Sequence, residues 1–147
     1  ANITVFDGQA TPVSHTLVAE SVSRPAANTV TATWKESLSG VPDYAQIRVS
    51  LKKTKSSTGI TKVVTRVEVP VMESVSGVNA AGYTAAPKVA YVDTAEYTHY
   101  AHDRSLISGR RSARQILKNL IDNVSITAAP ATAGPISEAV DQLLMPT

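Results

Sequence analysis

The stretch Thr61–Pro70, TKVVTRVEVP, alternates so cleanly that it admits little besides a long, half-buried β-strand. Val63, Val67 and Val69 fall on one side; Lys62, Arg66 and Glu68 fall on the other. Alternate side chains point to opposite faces of a sheet, so one face seeks a core and the other meets something wet and charged. Tyr44–Lys53 repeats the pattern, setting Ile47, Val49 and Leu51 against Arg48, Ser50 and Lys52. The polar turn KSSTG at Lys55–Gly59 joins the two runs. Two such strands in hairpin order belong to an antiparallel sheet solvated on one face.

The other segments extend that sheet. Asn2–Phe6, the Asp7-Gly8 turn and Val13–Ser23 read as an N-terminal β-hairpin over residues 1–23. Arg24–Asn28, with Pro25, reads as a break. Val30, Ala32 and Trp34 then face one way and Thr31, Thr33 and Lys35 the other, with Trp34 expected in the core. Gly40–Asp43 is a turn. Pro70 belongs at an edge, a bulge or a strand junction, since it cannot donate to the ladder. Val71–Val75 reads as a separate short strand. Gly77–Pro87 is a loop of small residues that opens with Gly77, Val78, Asn79, Ala80, Ala81, Gly82 and Tyr83. Lys88–Tyr100 is the last strand; Tyr91 and Asp93 share a face, with Ala90 and Val92 on the other.

Beyond residue 102 the period changes. Ala113, Ile116, Leu117, Leu120, Ile121 and Val124 recur at helical spacing, predicting a helix over 103–124 capped by Asp103 or Ser105. Gly109 weakens its first turns. After the loop Ser125–Gly134, Pro135 suits the first turn of a second helix over 135–144, with Ile136, Val140, Leu143 and Leu144 apolar. The predicted fold class is α+β: an N-terminal hairpin, a five-stranded antiparallel meander over 29–100 and two C-terminal helices, in one domain of residues 1–147. Two short helices cover so wide a sheet poorly, which predicts an obligate homodimer whose second copy lends its helices.

Charge is distributed unevenly. Net charge is only +2, yet residues 44–66 hold Arg48, Lys52, Lys53, Lys55, Lys62 and Arg66 without an acid. Residues 104–118 hold Arg104, Arg110, Arg111, Arg114 and Lys118, again without an acid. Such clusters are either solvated faces or a positive surface for phosphates. With no cysteine, disulfides and thiol nucleophiles are excluded. No apolar run reaches the roughly 20 residues that span a bilayer, so no membrane partner is expected. The start ANITVFDGQ lacks a signal-peptide pattern, and Ala1 fits removal of an initiator Met.

Catalysis finds little support. His99 and His102 form the only close histidine pair, with Asp103 as one extra donor, and this spacing alone does not make a metal site. Glu68, Asp93 and Glu96 are better read as solvated or cation-paired carboxylates than as an acid–base pair. No nucleophile elbow, phosphate-cradling glycine loop or HExxH motif occurs. No catalytic residue, metal or cofactor is assigned, and the chain is read as a non-enzyme.

Several pieces occur in a telling order: the strand carrying Trp34, the basic strand after Tyr44, VEVP at Val67–Pro70, SVSGV at Ser74–Val78, AYVD at Ala90–Asp93, THYAHD at Thr98–Asp103, a long amphipathic helix and the ending AVDQLLMPT. Over roughly three quarters of the chain this order resembles the coat proteins of the small single-stranded RNA bacteriophages, the leviviruses. The resemblance implies a dimer with a continuous ten-stranded sheet and interlocked helices, closing an icosahedral shell around single-stranded genomic RNA. It implies a virion protein assembled in the host bacterial cytoplasm.

By the same resemblance the inner sheet face binds RNA through Arg48, Ser50, Lys52, Arg66 and Glu68, bordered by Thr31 and Thr33. Tyr91 would stack on a base and Asp93 contact a base edge, with translational repression through an RNA hairpin as a further role. Residues 77–83 would be the loop that takes alternative paths at quasi-equivalent positions. The chain departs from the family pattern at Arg48, at Val64 and beyond Thr94, which favours general RNA packaging over a dedicated hairpin pocket. Arg110, Arg111 and Arg114 are expected at the surface or between subunits. The alternatives are a dimeric RNA-binding regulator that never closes a shell and a carbohydrate- or adhesin-like β domain.

Overall fold

Alternation becomes a single antiparallel sheet whose strands pair strictly in chain order. The computed structural model describes residues 1–73, 77–78, 80–124 and 129–146. Its strands are β1 (Ile3–Phe6), β2 (Ser14–Ala26), β3 (Thr29–Glu36), β4 (Arg48–Lys55), β5 (Ile60–Met72) and β6 (Val89–His102), with a 3₁₀ turn at Asp43–Ala45 before β4. Helices α1 (Ile107–Ile121) and α2 (Pro135–Asp141) follow, so the class is α+β as expected.

The details differ from expectation in instructive ways. The N-terminal hairpin is not set apart: β2 pairs with β3, making one sheet of six strands. Strand β2 runs through Pro25 to Ala26, and the ladder slips register between Ser23 and Ala26. A slipped ladder tolerates a residue with no N–H, which is why Pro25 ends nothing. The short strand expected at Val71–Val75 is instead the end of β5 as far as Met72; Ser74 and Val75 lie outside the described residues. Pro70 sits where β5 has outrun β4, whose last partner there is Glu68, and one residue before a bulge at Val71/Met72.

Directly opposed residues of antiparallel strands share a face. The core face carries Ala32, Trp34, Val49, Leu51 and Val63, joined by Leu17 of β2 and by Ala139 and Val140 of α2. Trp34, Leu51 and Val63 are essentially sealed, each contributing roughly 1.5–3 kcal/mol by burial. The indole N–H of Trp34 donates to the Ala1 carbonyl at 2.9 Å. Lys53, on the same face, donates at 2.7 Å to the carbonyl of Leu143, two residues past the end of α2. Thus the short α2 closes its own sheet.

Helix α1 does not. Its apolar residues Ile116, Leu120 and Ile121 are 60–75% exposed. It begins after Leu106 without a side-chain cap. Ser105, expected as a cap, donates to the His102 carbonyl and accepts from Arg110 instead. The arginines expected at the surface or between subunits turn inward: Arg110, Arg111 and Arg114 all bond Asp141 of α2. That clamp fastens α1 to α2 within the chain.

Candidate nucleic-acid interface

The face opposite the core is built from four rungs, each crossing β3, β4, β5 and β6 in turn. They read Lys35–Arg48–Glu68–Thr94, Thr33–Ser50–Arg66–Glu96, Thr31–Lys52–Val64–Thr98 and Thr29–Thr54–Lys62–Tyr100. Strand pairing therefore brings Arg48, Ser50, Lys52, Arg66, Glu68, Thr31 and Thr33 together. A shallow groove of about 420 Å³ runs between Ser50, Lys52, Thr54, Lys62, Val64, Arg66 and Glu96.

The cations of this face are unequally engaged. Arg48 donates from Nη2 to Asp43 Oδ2 at 2.9 Å, and Lys35 binds the same carboxylate. The hydrogen bond from Lys35, reinforced by Arg48, holds the Asp43 carboxyl below the usual carboxylate range, and Asp43 in turn raises Lys35. Arg66 meets Glu68 at 2.8 Å. Among the described residues Lys52 and Lys62 have no carboxylate partner; Lys62 lies over the Tyr100 ring, 5.6 Å from its centroid. Exposed ion pairs contribute about 1 kcal/mol or less, so Arg48 and Arg66 can exchange a carboxylate for a phosphate at small cost. Hydroxyls of Thr33 and Ser21, 2.8 Å apart, add polar groups along the border.

Tyr91 and Asp93 are not on this face. Asp93 pairs with Val69 and Tyr91 with Val71, with no slip between Asp93 and Ala101. Both thus share the side of Val67 and Val63, away from Arg66. The expectation of a shared surface fails because neither face is buried there: Val69, Tyr91 and Val92 are 38%, 57% and 47% exposed. The aromatic residue that β3–β6 do present beside the cations is Tyr100, which sequence reasoning passed over. Its place opposite Lys62 depends on strand register, which no local pattern reports.

The other candidates separate. His99 is buried on the core face beside Tyr97, whereas His102 falls on the opposite face and accepts from the Arg104 N–H. Glu68 and Glu96 lie on the basic face and Asp93 on the other. In the loop, Gly77 and Gly82 hold positive φ of 100° and 80°, which an L side chain resists. Val78 and Tyr83 are mostly exposed, Ala80 and Ala81 lie between them in the chain, and Asn79 lies outside the described residues. The loop base is tied by Glu73 N–H to the Lys88 carbonyl at 2.9 Å, and the Tyr44 hydroxyl donates to the Pro87 carbonyl.

A model of the family described as levivirus coat protein matches residues 1–144. The virus-like particle of bacteriophage EMS014 is similar at 29% identity, with a TM-score of 0.69 over 100% of this chain and 98% of that one. The bacteriophage EMS014 coat protein gives 26% identity and a TM-score of 0.65, again over 100% and 98% of the two chains. The protein capsid of bacteriophage GA shares the fold at 20% identity, with a TM-score of 0.54 over 97% and 93%. No match was found among curated proteins.

Proposed function

Because this chain belongs to the levivirus coat protein family and is a structural capsid protein of the virion rather than an enzyme, self-associating into a shell, we propose that it packages single-stranded RNA against the β3–β6 face. The observation that carries this is the strand pairing, which sets Arg48, Lys52, Lys62 and Arg66 on the face opposite the one α2 closes. Ser50, Thr31 and Thr33 supply uncharged contacts beside them, and Glu68 pairs with Arg66 until phosphate arrives. Recognition of an RNA hairpin with translational repression is the finer form of the same proposal.

The building block we propose is a homodimer. Strand β6 is an edge strand of 14 residues without Pro or Lys, the residues that usually blunt an edge. Helix α1 leaves Ile116, Leu117, Leu120 and Ile121 to solvent, a stripe that a second copy's helices would bury. Edge pairing through β6 would carry one sheet across both subunits, with six strands from each. Residues 77–83 then serve as the segment that differs between quasi-equivalent positions, supported by two glycines at positive φ.

Electron microscopy of the purified protein, with its absorbance ratio at 260 and 280 nm, tests the proposal. Closed particles containing nuclease-protected RNA are expected. Small RNA-binding dimers that never close would replace it with the regulator reading, and empty shells would remove the RNA.

A further inference from the structure

Tyr100 stands 65% exposed at the β6 end of the last rung, directly opposite Lys62. Tyrosines on a sheet usually pack against a cross-strand neighbour or reach a hydrogen-bond partner. Tyr97, three residues earlier, does both on the core face, bonding His99 at 3.0 Å. Among the described residues Tyr100 joins no core cluster, and its ring receives the ammonium of Lys62, 5.6 Å from its centroid. An exposed cation over an aromatic ring is worth about 1 kcal/mol or less, so the ring is readily surrendered to a better ligand.

The neighbours define that ligand. Thr54 follows Lys62 along the rung, and Lys52 lies one rung away on β4. Lys52, Thr54 and Lys62 line the same groove, which leads to Arg66. A flat ring at the margin of a positive groove suits a chain of alternating planar bases and phosphates. Resting on the RNA-packaging reading above, we infer that Tyr100 is a stacking platform for one base of bound single-stranded RNA and that Lys62, displaced from the ring, takes an adjacent phosphate. Base stacking tolerates any sequence, because every base has a π-face; this subsite therefore serves general packaging and carries no sequence code.

The test compares two fluorescent single-stranded oligoribonucleotides of equal length, one ordinary and one with abasic positions, binding the full-length protein in solution. Tyr100→Ala should weaken binding of the ordinary strand by about five- to a hundred-fold and leave the abasic strand unchanged. Tyr100→Phe should retain wild-type affinity, since the ring and not the hydroxyl is used. Lys62→Ala should lower the steepness of the salt dependence by roughly 0.7 in the log–log slope, while Tyr100→Ala leaves the slope alone. Equal affinity of wild type and Tyr100→Ala for the ordinary strand overturns the inference with packaging intact, and so does equal weakening on both strands, which marks a purely structural role. If the unmodified protein binds neither strand, the packaging reading falls and takes this inference with it.

Discussion

Arg114 grips Asp141 with two N–H groups: Nε donates to Oδ1 at 3.0 Å and Nη2 to Oδ2 at 2.8 Å. Arg111 adds a third bond at 2.9 Å, and Arg110 reaches the Asp141 backbone carbonyl at 2.9 Å. The carboxylate is 1% exposed. Removing one member of a buried pair strands the other, which costs about 3–5 kcal/mol. Asp141→Ala should lower stability by that order in urea unfolding and detach α1 from α2. A loss under 1 kcal/mol would show that the clamp does not hold the helices.

The same carboxylate sets an acid limit. Burial pushes the Asp141 carboxyl up, but hydrogen bonds from Arg114 and Arg111 outweigh it and leave its folded pKa depressed. Its stabilisation is present above the unfolded value and lost as pH falls through the folded one. Wild type should therefore lose stability towards acid more steeply than Asp141→Asn, as read from urea midpoints between pH 2 and pH 5.

Two histidines should act in opposite directions. Protonated His15 donates from Nδ1 to Glu36 Oε1 at 2.7 Å and from Nε2 to Asp7 Oδ2 at 3.3 Å; the Glu36 bond, opposed by burial and aided by Asp7, raises it above the ordinary 6.5. Its stabilisation is complete below 6.5 and lost as pH rises through the folded value. His99 is depressed by burial and then by Arg110, so its share is present above 6.5 and lost as pH falls through the folded value. Amide protection factors in β1, corrected for the intrinsic base-catalysed rate, should fall as pH rises through the folded His15 value, and His15→Gln should abolish that fall.

Leu120 is 74% exposed in the single chain. Leu120→Asp should leave the subunit folded, because it alters no buried contact, yet abolish pairing and particles. Sedimentation velocity reads both species. Wild-type particle yield from this variant would remove α1 from the proposed subunit contact.

Lys52 has no carboxylate partner among the described residues and Arg66 has Glu68. Lys52→Ala should weaken single-stranded RNA binding uniformly and reduce its salt slope by roughly 0.7. An unchanged slope in titrations from 50 to 300 mM salt would take Lys52 off the contact surface.

Gly59 turns β4 into β5 at φ +84°, and a Cβ there would lie 2.7 Å from Asp103 Oδ2. The Asp103 N–H also donates to the Gly59 carbonyl at 3.2 Å. Gly59→Ala should cost about 1–3 kcal/mol through positive-φ strain and crowding. Pairing it with Asp103→Ala should relieve only the crowding share, as a double-mutant cycle in thermal unfolding would show.

Where burial acted on a strand, sequence reading was faithful. Val49 and Leu51 against Arg48, Ser50 and Lys52, and Val63 and Val67 against Lys62 and Arg66, fall as alternation requires. Alternation lost its meaning at Tyr91 and Asp93, because β5 and β6 there extend past β4 and both faces are exposed. The intrachain partner of the helix arginines was illegible for a different reason. Their shared acid, Asp141, lies 27 to 31 residues further on, in another helix, so no local charge pattern couples them. Ser105 looked like a cap because serine commonly caps, but Arg110 reaches back for its hydroxyl.

The bare margin of β6 has a consequence for how the protein must be made. The outer edge of its fourteen residues carries neither lysine nor proline, which leaves the acids Asp93 and Glu96 to deter a stray strand. In the dimer proposed above a second copy would cover that margin, so a chain kept dilute leaves it open for longer.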